Sequence, residues 1–183
     1  ADICGGKMDN AITREAEAVL VTDEKTAAAM SEEIKKIEEE FRNEYKTADP
    51  GISLKLEGHA AVSEVLSESS RDRVILALVL IPYGVKTVSL LMPGLVESSS
   101  NIGIVSLARD KITLENAVRS DVEIRKQVIL EEIRAIAEAL GGEVTTHGDY
   151  PAWEYDPDSG LLRLFTEVYE ETYGKKPLAE AIH

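Results

Sequence analysis

The topology of the chain is best indicated by the segment Ile102–Val118, which reads IGIVSLARDKITLENAV. Its two halves, 102–108 and 111–118, are rich in apolar and β-branched residues, and Arg109-Asp110 separates them. Two such runs with a two-residue connection are typical of a β-hairpin. We therefore predict an antiparallel pair of strands at this point of the chain, preceded by a loop at Ser98–Ser100.

A helix and a further strand are predicted after the hairpin. Asp121 is a suitable N-cap, and Gly141-Gly142 provides a conventional C-terminal stop. Glu143–Thr146 then has the pattern of a strand. Within the helix, apolar side chains recur at helical spacing and form a stripe that faces a core: Ile129, Ile133, Ile136 and Leu140.

A strand, a helix and a second strand are predicted in the first third of the chain. Glu15–Thr22 alternates between apolar and polar residues, as a half-buried strand does, and Asp23 can cap the helix that follows. Asp49-Pro50-Gly51 ends this helix, and Ile52–Leu56 alternates again as a strand. The helix has one apolar stripe, formed by Ala27, Met30, Ile34, Ile37, Phe41 and Tyr45.

Residues 59–95 interrupt this regular pattern and are predicted to be a helical insertion. A short helix is expected at 60–67, and Ser70 begins a second one. The second helix is apolar on every side through Ile81, and Pro82-Tyr83-Gly84 ends it. Such a helix must be covered by something, so it is either an interior helix or part of a subunit interface.

The order of these elements is βαββαβ with an insertion, which is typical of a ferredoxin-like sandwich. We therefore predict an α+β fold, an open-faced sandwich in which an antiparallel sheet carries helices on one face. Asp156–Ser159 can cap a third helix that continues through Tyr173. The tail beyond it has no sheet of its own, so we expect it to pack opportunistically or to be poorly ordered.

Composition excludes two classes of partner. The chain has 34 acidic and 20 basic residues and a formal net charge of -14 at pH 7, so it lacks the basic face that nucleic acid requires. The longest apolar run, Val74–Ile81, is far shorter than the roughly 20 residues of a membrane helix. The single cysteine, Cys4, fits a reducing compartment, and a cytoplasmic location is expected. The start at Ala1 and the end at His183 suggest a piece of a longer protein.

A glycine-rich turn, GGKMDNAITRE at residues 5–15, leads into the first predicted strand. Two glycines followed by an amide side chain suit a tight turn that exposes its backbone to a ligand. The simpler interpretation is a Gly-Gly turn in which Asn10 satisfies local backbone groups. The residues alone leave both interpretations open.

Several blocks of the sequence, taken in order, match those of a known family. The blocks are Gly5–Glu15, Gly94–Val105, Val118–Ser120, Gly148–Trp153 and Lys176–His183. They resemble aminoacyl-histidine dipeptidases (Xaa-His dipeptidases), which are cytosolic dinuclear-zinc peptidases related to carnosinase. The resemblance covers nearly the whole chain.

The resemblance implies two parts with different roles. Residues 1–147 would be a lid and dimerisation domain, and residues 148–183 would begin the segment that returns to a catalytic domain. The intact enzyme would hydrolyse Xaa-His (carnosine-like) dipeptides with two divalent metal ions of the zinc class. This part would close over the dipeptide, bind its carboxylate and mediate homodimerisation. On this account the fragment alone binds no metal and is inactive.

The resemblance also implies which residues contact the substrate. Asn10 matches a lid asparagine that contacts bound dipeptide, and Arg119 matches a lid arginine. Gly6 would permit close backbone approach, and His183 fits a truncated Ile-His motif. A guanidinium grips a carboxylate with two parallel hydrogen bonds, and an amide can donate to the peptide or to a developing oxyanion. The competing interpretation for Arg119 is a charge at a strand end that pairs with Asp121.

No metal ligand and no catalytic residue is predicted within the chain. The three histidines, His59, His147 and His183, are not spaced for shared ligation, and the acidic pairs on predicted helices are interpreted as solvated surface. A stand-alone ferredoxin-like module for small-ligand binding or regulation, and a purely structural dimerisation unit, remain alternatives. Convergence of Asn10 and Arg119 on one exposed surface would favour the peptidase lid.

Overall fold

The computed structural model describes residues 2–58 and 61–178, which form five strands and four helices. The elements are β1 (Asp2–Gly5), β2 (Ala16–Val19), α1 (Glu24–Glu44), α2 (Glu68–Leu80), β3 (Gly84–Val88), β4 (Val96–Ala108), β5 (Lys111–Ser120), α3 (Glu123–Ala139) and α4 (Gly160–Tyr173). The predictions for His59, for His183 and for the end of the tail lie outside the described residues.

The predicted hairpin is present and belongs to a five-stranded antiparallel sheet. β4 pairs with β5 from Ser98 to Ala108. The opposite edge of β4 pairs with β3 and, further along, with β1, where Gly5 lies opposite Val105. β1 pairs in turn with β2, so β1, β2 and β3 lie on one side of β4 and β5 lies on the other. The predicted fold class, an α+β sandwich with an antiparallel sheet, is confirmed.

The predicted loop at Ser98–Ser100 is wrong, because these residues lie inside β4. Ser98 and Ser100 are each 1% exposed. Their hydroxyl groups are satisfied within the sheet: Ser98 shares a hydrogen bond with the Thr87 hydroxyl of β3, and Ser100 donates to Asn116 Oδ1 of β5 at 2.9 Å. A buried hydroxyl is tolerated when it is hydrogen-bonded, so a run that reads as a loop by composition can form the interior of a strand.

The apolar core lies where α3 packs on β4 and β5. Ile129 and Ile133, both members of the predicted stripe, are 3% and 8% exposed. α3 also ends as predicted, since Gly141 adopts a φ of 70° and the Gly142 N–H donates to the Ala137 carbonyl at 2.7 Å. This geometry satisfies a carbonyl that the end of a helix would otherwise leave without a partner.

The predicted N-cap of α3 is wrong. The Asp121 N–H donates to the Glu97 carbonyl at 3.3 Å, which extends the contact between β4 and β5 past Ser120. The helix therefore begins later, with Val122 at the N-cap position and without a side-chain capping bond. Asp121 thus extends the pairing of the hairpin and does not cap the helix.

The predicted strand at Ile52–Leu56 is not a strand. Arg42 Nε of α1 donates to the Ile52 carbonyl at 3.0 Å, and Glu38 Oε1 of α1 accepts from the Leu54 N–H at 3.2 Å. Alternation of apolar and polar residues predicts an extended chain, but it does not say which groups form hydrogen bonds with its backbone. In this segment the side chains of a helix do so in place of a neighbouring strand.

Four further elements differ from the prediction. Glu143–Thr146 is not a strand, and residues 61–67 of the predicted short helix are not helical. β1 and β3, in contrast, are strands that were not predicted. β3 begins within the turn signal Pro82-Tyr83-Gly84, where Gly84 has a φ of 85°. That signal correctly marks the end of α2 but obscures the strand behind it.

α2 begins and ends close to the predicted residues, and the side-chain oxygen of its N-cap, Ser67, accepts from the Ser70 N–H at 3.2 Å. It packs beside α3, where Arg73 Nη1 donates to the Leu140 carbonyl at 3.4 Å. No residue of α2 is buried in the described part of the chain, and Val79 is 73% exposed. The interior-helix interpretation is therefore wrong for this chain, and the interface interpretation stays a prediction.

The first and last helices begin at the predicted caps. In α1, Asp23 Oδ1 accepts from the Thr26 N–H at 2.8 Å, and in α4, Ser159 Oγ accepts from the Leu162 N–H at 3.4 Å. α4 ends at Tyr173, as predicted. Among the helices of the described ranges, none is long and apolar enough to cross a membrane.

Candidate functional site

The loop between β1 and β2 crosses β4 at a bulge around Gly103. The pairing of β4 with β5 shifts register between Ile102 and Ile104. Gly6 has a φ of 75°, and a Cβ atom on it would lie 1.7 Å from the Gly103 carbonyl oxygen. A Cβ atom on Gly103 would lie 2.2 Å from the Asp9 carbonyl oxygen. Only glycine fits at either position, and the close backbone approach expected at Gly6 is made to β4.

Side chains fasten the base of this loop. Lys7 forms an ion pair with Glu15, which raises the pKa of Lys7 and lowers the pKa of Glu15. The Thr13 hydroxyl lies 3.1 Å from the Gly103 carbonyl oxygen and 3.2 Å from that of Ile102, and it can donate to either. The loop is therefore tied both to itself and to the edge of β4.

A different side chain fastens the turn of the loop. Asn101 Nδ2 of β4 donates to the Ala11 carbonyl at 2.8 Å. Asn10, next to Ala11, is exposed, and no hydrogen bond joins its side chain to another residue that the structure describes. The interpretation in which Asn10 satisfies local backbone groups is therefore not observed.

Arg119 lies on β5, directly opposite Ser99 of β4. Its side chain is exposed, and within residues 2–58 and 61–178 it forms neither an ion pair nor a hydrogen bond. The expected competitor, a pair with Asp121, is not formed. A guanidinium that is left without an internal partner is available to an external anion.

Asn101, which binds the turn that carries Asn10, lies on the same face of the sheet as Arg119. Residues directly opposite each other in an antiparallel ladder share a face, and residues two apart on one strand do so too. Asn101 lies opposite Ala117, and Ser99 lies opposite Arg119, without a register shift between the two pairs. Asn101 and Arg119 are therefore diagonal neighbours on one face, and Asn101 binds the turn next to Asn10.

This arrangement can recognise a small anion with a polar group beside it. The Arg119 guanidinium offers a planar pair of donors that matches a carboxylate, and the Asn10 amide offers both a donor and an acceptor. Neither residue supplies a nucleophile or a general base. The chemistry of this face is binding and orientation.

A second polar cluster joins α3 to the segment after Gly148. Lys126 Nζ lies 2.8 Å from Asp149 Oδ1 and 3.0 Å from Glu123 Oε2, and it donates to the Tyr150 carbonyl at 2.7 Å. Lys126 is 8% exposed. The hydrogen bond to Asp149 raises the pKa of Lys126, with a smaller contribution from Glu123.

Glu123 completes this cluster from the first turn of α3. Its carboxylate accepts hydrogen bonds from Gln127 Nε2 at 2.8 Å and from the Ala152 N–H at 3.1 Å. These two bonds and the bond from Lys126 lower the pKa of Glu123 to about 2. The cluster therefore holds residues 149–152 against the N-terminus of α3.

A cleft of about 870 Å³ lies between β5, α2, α3 and residues 141–150, and His147 and Arg119 are among its lining residues. In the part of the chain that the structure describes, no group of three or more His, Cys, Asp and Glu residues is placed to hold a metal ion. His147 therefore does not belong to such a group there. The described residues do not fit a zinc site.

In sequence and fold this chain is similar to dipeptidases, a class of hydrolases. The crystal structure of aminoacylhistidine dipeptidase from Vibrio alginolyticus aligns with a TM-score of 0.91 at 28% identity, over 97% of this chain and 36% of that chain. The cytosol non-specific dipeptidase of Escherichia coli (strain K12) is 28% identical over 182 residues, which is 100% of this chain and 38% of the relative. No protein-family model matches the chain.

The resemblance to aminoacyl-histidine dipeptidases is thereby confirmed, for a part of such a protein. The chain spans 38% of the length of the curated relative and 36% of the solved structure. The specific roles predicted for Asn10, Arg119, Gly6 and His183 are not tested by these similarities, and they stay proposals.

The sequence contained signals for two residues whose roles were not predicted. Lys126 lies three residues before Ile129 on the apolar stripe of α3, a position where a lysine is expected to be buried and paired. Asn101 precedes Gly103 in a strand, where asparagine is otherwise disfavoured. Its partner lies far away in the sequence, in the loop around Asn10, so the pattern alone could not identify it.

Proposed function

We propose that this chain is the lid domain of a metal-dependent dipeptidase, and that it binds the terminal carboxylate of a dipeptide through Arg119. The observation that carries the proposal is the exposed Arg119 guanidinium, which forms no ion pair or hydrogen bond with any residue that the structure describes. It lies on the same sheet face as Asn101, which binds the turn next to Asn10. The similarity to two dipeptidases supports the substrate class.

The division of labour follows from the chemistry of a short peptide. A dipeptide carries its carboxylate one residue away from the bond to be cleaved, so a guanidinium that holds the carboxylate also fixes the position of that bond. Asn10 would add a hydrogen bond to the peptide or to the oxyanion that develops during hydrolysis. Gly6 would contribute by keeping the loop close to β4, and His183 would approach the substrate from the returning segment.

The metal ions and the activation of water would belong to the remainder of the full-length protein. When bound, two zinc-class ions supply Lewis acidity and a nucleophilic water. The residues that the structure describes offer no cluster for such ions, so this domain would bind and cover the substrate and would be inactive by itself. Residues 148–183 would form the start of the segment that returns to the catalytic domain.

We further propose that the domain forms a homodimer through α2 and β3, in the cytoplasm. α2 exposes Ile75, Leu76 and Val79. β3, the next element along the chain, exposes Val85 and Val88. An exposed apolar helix face and an exposed edge strand are both surfaces of the kind that subunits cover. The similarity to the cytosol non-specific dipeptidase of Escherichia coli supports this location.

The alternative of a stand-alone ligand-binding or regulatory module has weaker support. Both relatives are dipeptidases, and the chain aligns with each of them over nearly its whole length. A purely structural dimerisation unit would also leave without a role the Arg119 guanidinium, which has no partner in the described part of the chain.

The test is kinetic and uses the full-length protein. Arg119→Ala should lower kcat/KM for a dipeptide by an amount that corresponds to about 2–5 kcal/mol of transition-state stabilisation, because the substrate carboxylate loses its charged partner. A dipeptide whose carboxylate is amidated should be a poor substrate for the wild type, and Arg119→Ala should make it no poorer.

Arg71→Ala is the matched control, because Arg71 is also exposed but pairs with its neighbour Asp72 on α2. It should leave kcat/KM unchanged. If Arg119→Ala lowers kcat/KM equally for the free and the amidated dipeptide, Arg119 does not bind the carboxylate and the proposal fails.

A further inference from the structure

We infer that Asn101 is a positioning residue for substrate binding, which sets the place of Asn10 relative to Arg119. This inference rests on the proposed function, because it assigns Asn101 a role through two residues of the proposed site. Asn101 itself would not contact the substrate. It would act through the turn that it binds.

The first step is the geometry of the ladder. Asn101 and Arg119 lie on one face of β4 and β5 as diagonal neighbours, so their Cα atoms are separated by roughly 7–8 Å. The side chain of Asn101 is committed to the loop, since its Nδ2 donates to the Ala11 carbonyl at 2.8 Å. One side chain on the Arg119 face thus reaches the backbone next to Asn10.

The second step is the difference between the two fastenings of the loop. Thr13 and the crossing of Gly6 with Gly103 hold its base against the edge of β4. Asn101 holds the turn itself, one residue beyond Asn10. Loss of the Asn101 amide should therefore leave the base in place and release the turn.

The third step is the chemistry of the residue. The bond requires an N–H donor, because its acceptor is a carbonyl oxygen. Asn101→Asp keeps the shape of the side chain, removes the donor and places a negative charge against that carbonyl. It also places a negative charge beside Arg119, so Asn101→Ala is needed as a second variant that removes the donor without adding charge.

The inference is tested by a double-mutant cycle in the full-length protein. We expect Asn101→Ala and Asn10→Ala each to lower kcat/KM for a dipeptide by about 10- to 100-fold. Because Asn101 acts through Asn10, the double variant should be no slower than Asn10→Ala alone. Ser106→Ala, on the same strand beyond the bulge, is the matched control and should leave kcat/KM unchanged.

Hydrogen exchange in the 183-residue chain gives a second, independent measurement. Asn101→Ala should accelerate exchange of the Ala11 amide, which donates weakly to the Met8 carbonyl at 3.4 Å within this turn. Exchange in β4 and β5 should be unchanged, which would show that the variant folds.

The outcomes separate the two proposals. Additive losses in the cycle, or an Asn101→Ala variant with unchanged kcat/KM beside impaired Asn10→Ala and Arg119→Ala variants, overturn the role of Asn101 and leave the proposed function standing. If Asn10→Ala and Arg119→Ala both retain full kcat/KM, the proposed function itself fails and the positioning role fails with it.

Discussion

Lys126 Nζ lies 2.8 Å from Asp149 Oδ1, and this pair ties the first turn of α3 to the segment that leads to α4. Gly148, which precedes the segment, has a φ of 64° and open space around it, so the chain turns there without packing restraint. The next residue, Asp149, is held by its ion pair with Lys126. The direction in which the chain leaves α3 and its strands is therefore set by charged side chains.

The first prediction concerns the pH dependence of this cluster. The pKa of Glu123 falls from 4.5 to about 2 in the folded protein. A carboxyl group with a lowered folded-state pKa stabilises the fold at pH values above its unfolded pKa, and this stabilisation is lost as pH falls through the folded pKa. The difference in free energy of unfolding between wild type and Glu123→Gln should therefore be constant above about pH 5 and shrink towards pH 2.

Urea unfolding at each pH measures this difference. Glu131→Gln is the control, because Glu131 also lies on α3 and pairs with Arg134, and among the described residues no hydrogen bond or ion pair joins it to residues 149–152. Its difference from wild type should not share the steep change between pH 5 and pH 2. A flat difference for Glu123→Gln over the same range would show that the carboxylate does not hold the segment.

The second prediction concerns the crossing of the loop over β4. Gly103→Ala would bring a methyl group to 2.2 Å from the Asp9 carbonyl, where backbone and not a flexible side chain must move. We expect a loss of about 1–3 kcal/mol in the free energy of unfolding, measured by urea denaturation. Gly160→Ala, at a helical glycine with open space around it, should be neutral or stabilising. Equal stability of the two variants would refute the close crossing.

The third prediction concerns the core between α3 and the hairpin. Ile133 is 8% exposed, so Ile133→Ala should lower the free energy of unfolding by about 2–5 kcal/mol through lost burial and a residual cavity. Ile124 on the same helix is 69% exposed, and Ile124→Ala should change stability by less than about 0.5 kcal/mol. Thermal unfolding of both variants measures the contrast. Similar losses for the two would place the core elsewhere.

The parts of the fold that follow from local pattern were predictable. The hairpin at Ile102–Val118 and the stripe of α3 each depend on spacing within one segment, and both are confirmed. The strand at Ile52–Leu56 was wrong because its partners are side chains of α1, which no local pattern identifies. The buried serines of β4 were missed for the same reason, since distant hydroxyl and amide groups satisfy them.

The candidate site also combines residues that local sequence pattern identifies with residues that it does not. Gly6 and Asn10 stand out in the sequence because a glycine pair followed by an amide is a recognisable turn. Their position over β4 depends on Gly103 and Asn101, which lie far along the chain and give no comparable signal. Arg119 could be identified by resemblance, but the sequence does not show that its side chain has no ion pair or hydrogen bond among residues 2–58 and 61–178.

The last prediction concerns the exposed face of α2. Val79 is 73% exposed and Leu76 45% exposed, and β3 follows them with Val85 at 58%. If this face forms the proposed homodimer, a charge at its centre should prevent association, because an unpaired buried charge is costly at an interface. Val79→Glu should therefore sediment as a 20.0 kDa species in analytical ultracentrifugation, where the wild type sediments as a dimer.

Leu161→Glu is the matched control for this experiment, since Leu161 is an equally exposed apolar residue, at 75%, but lies on α4. It should leave the dimer intact. A monomeric wild type, or dissociation by Leu161→Glu and not by Val79→Glu, would show that α2 does not form the interface. In that case α2 would need another cover, because a helix that is apolar on every side is not stable against water alone.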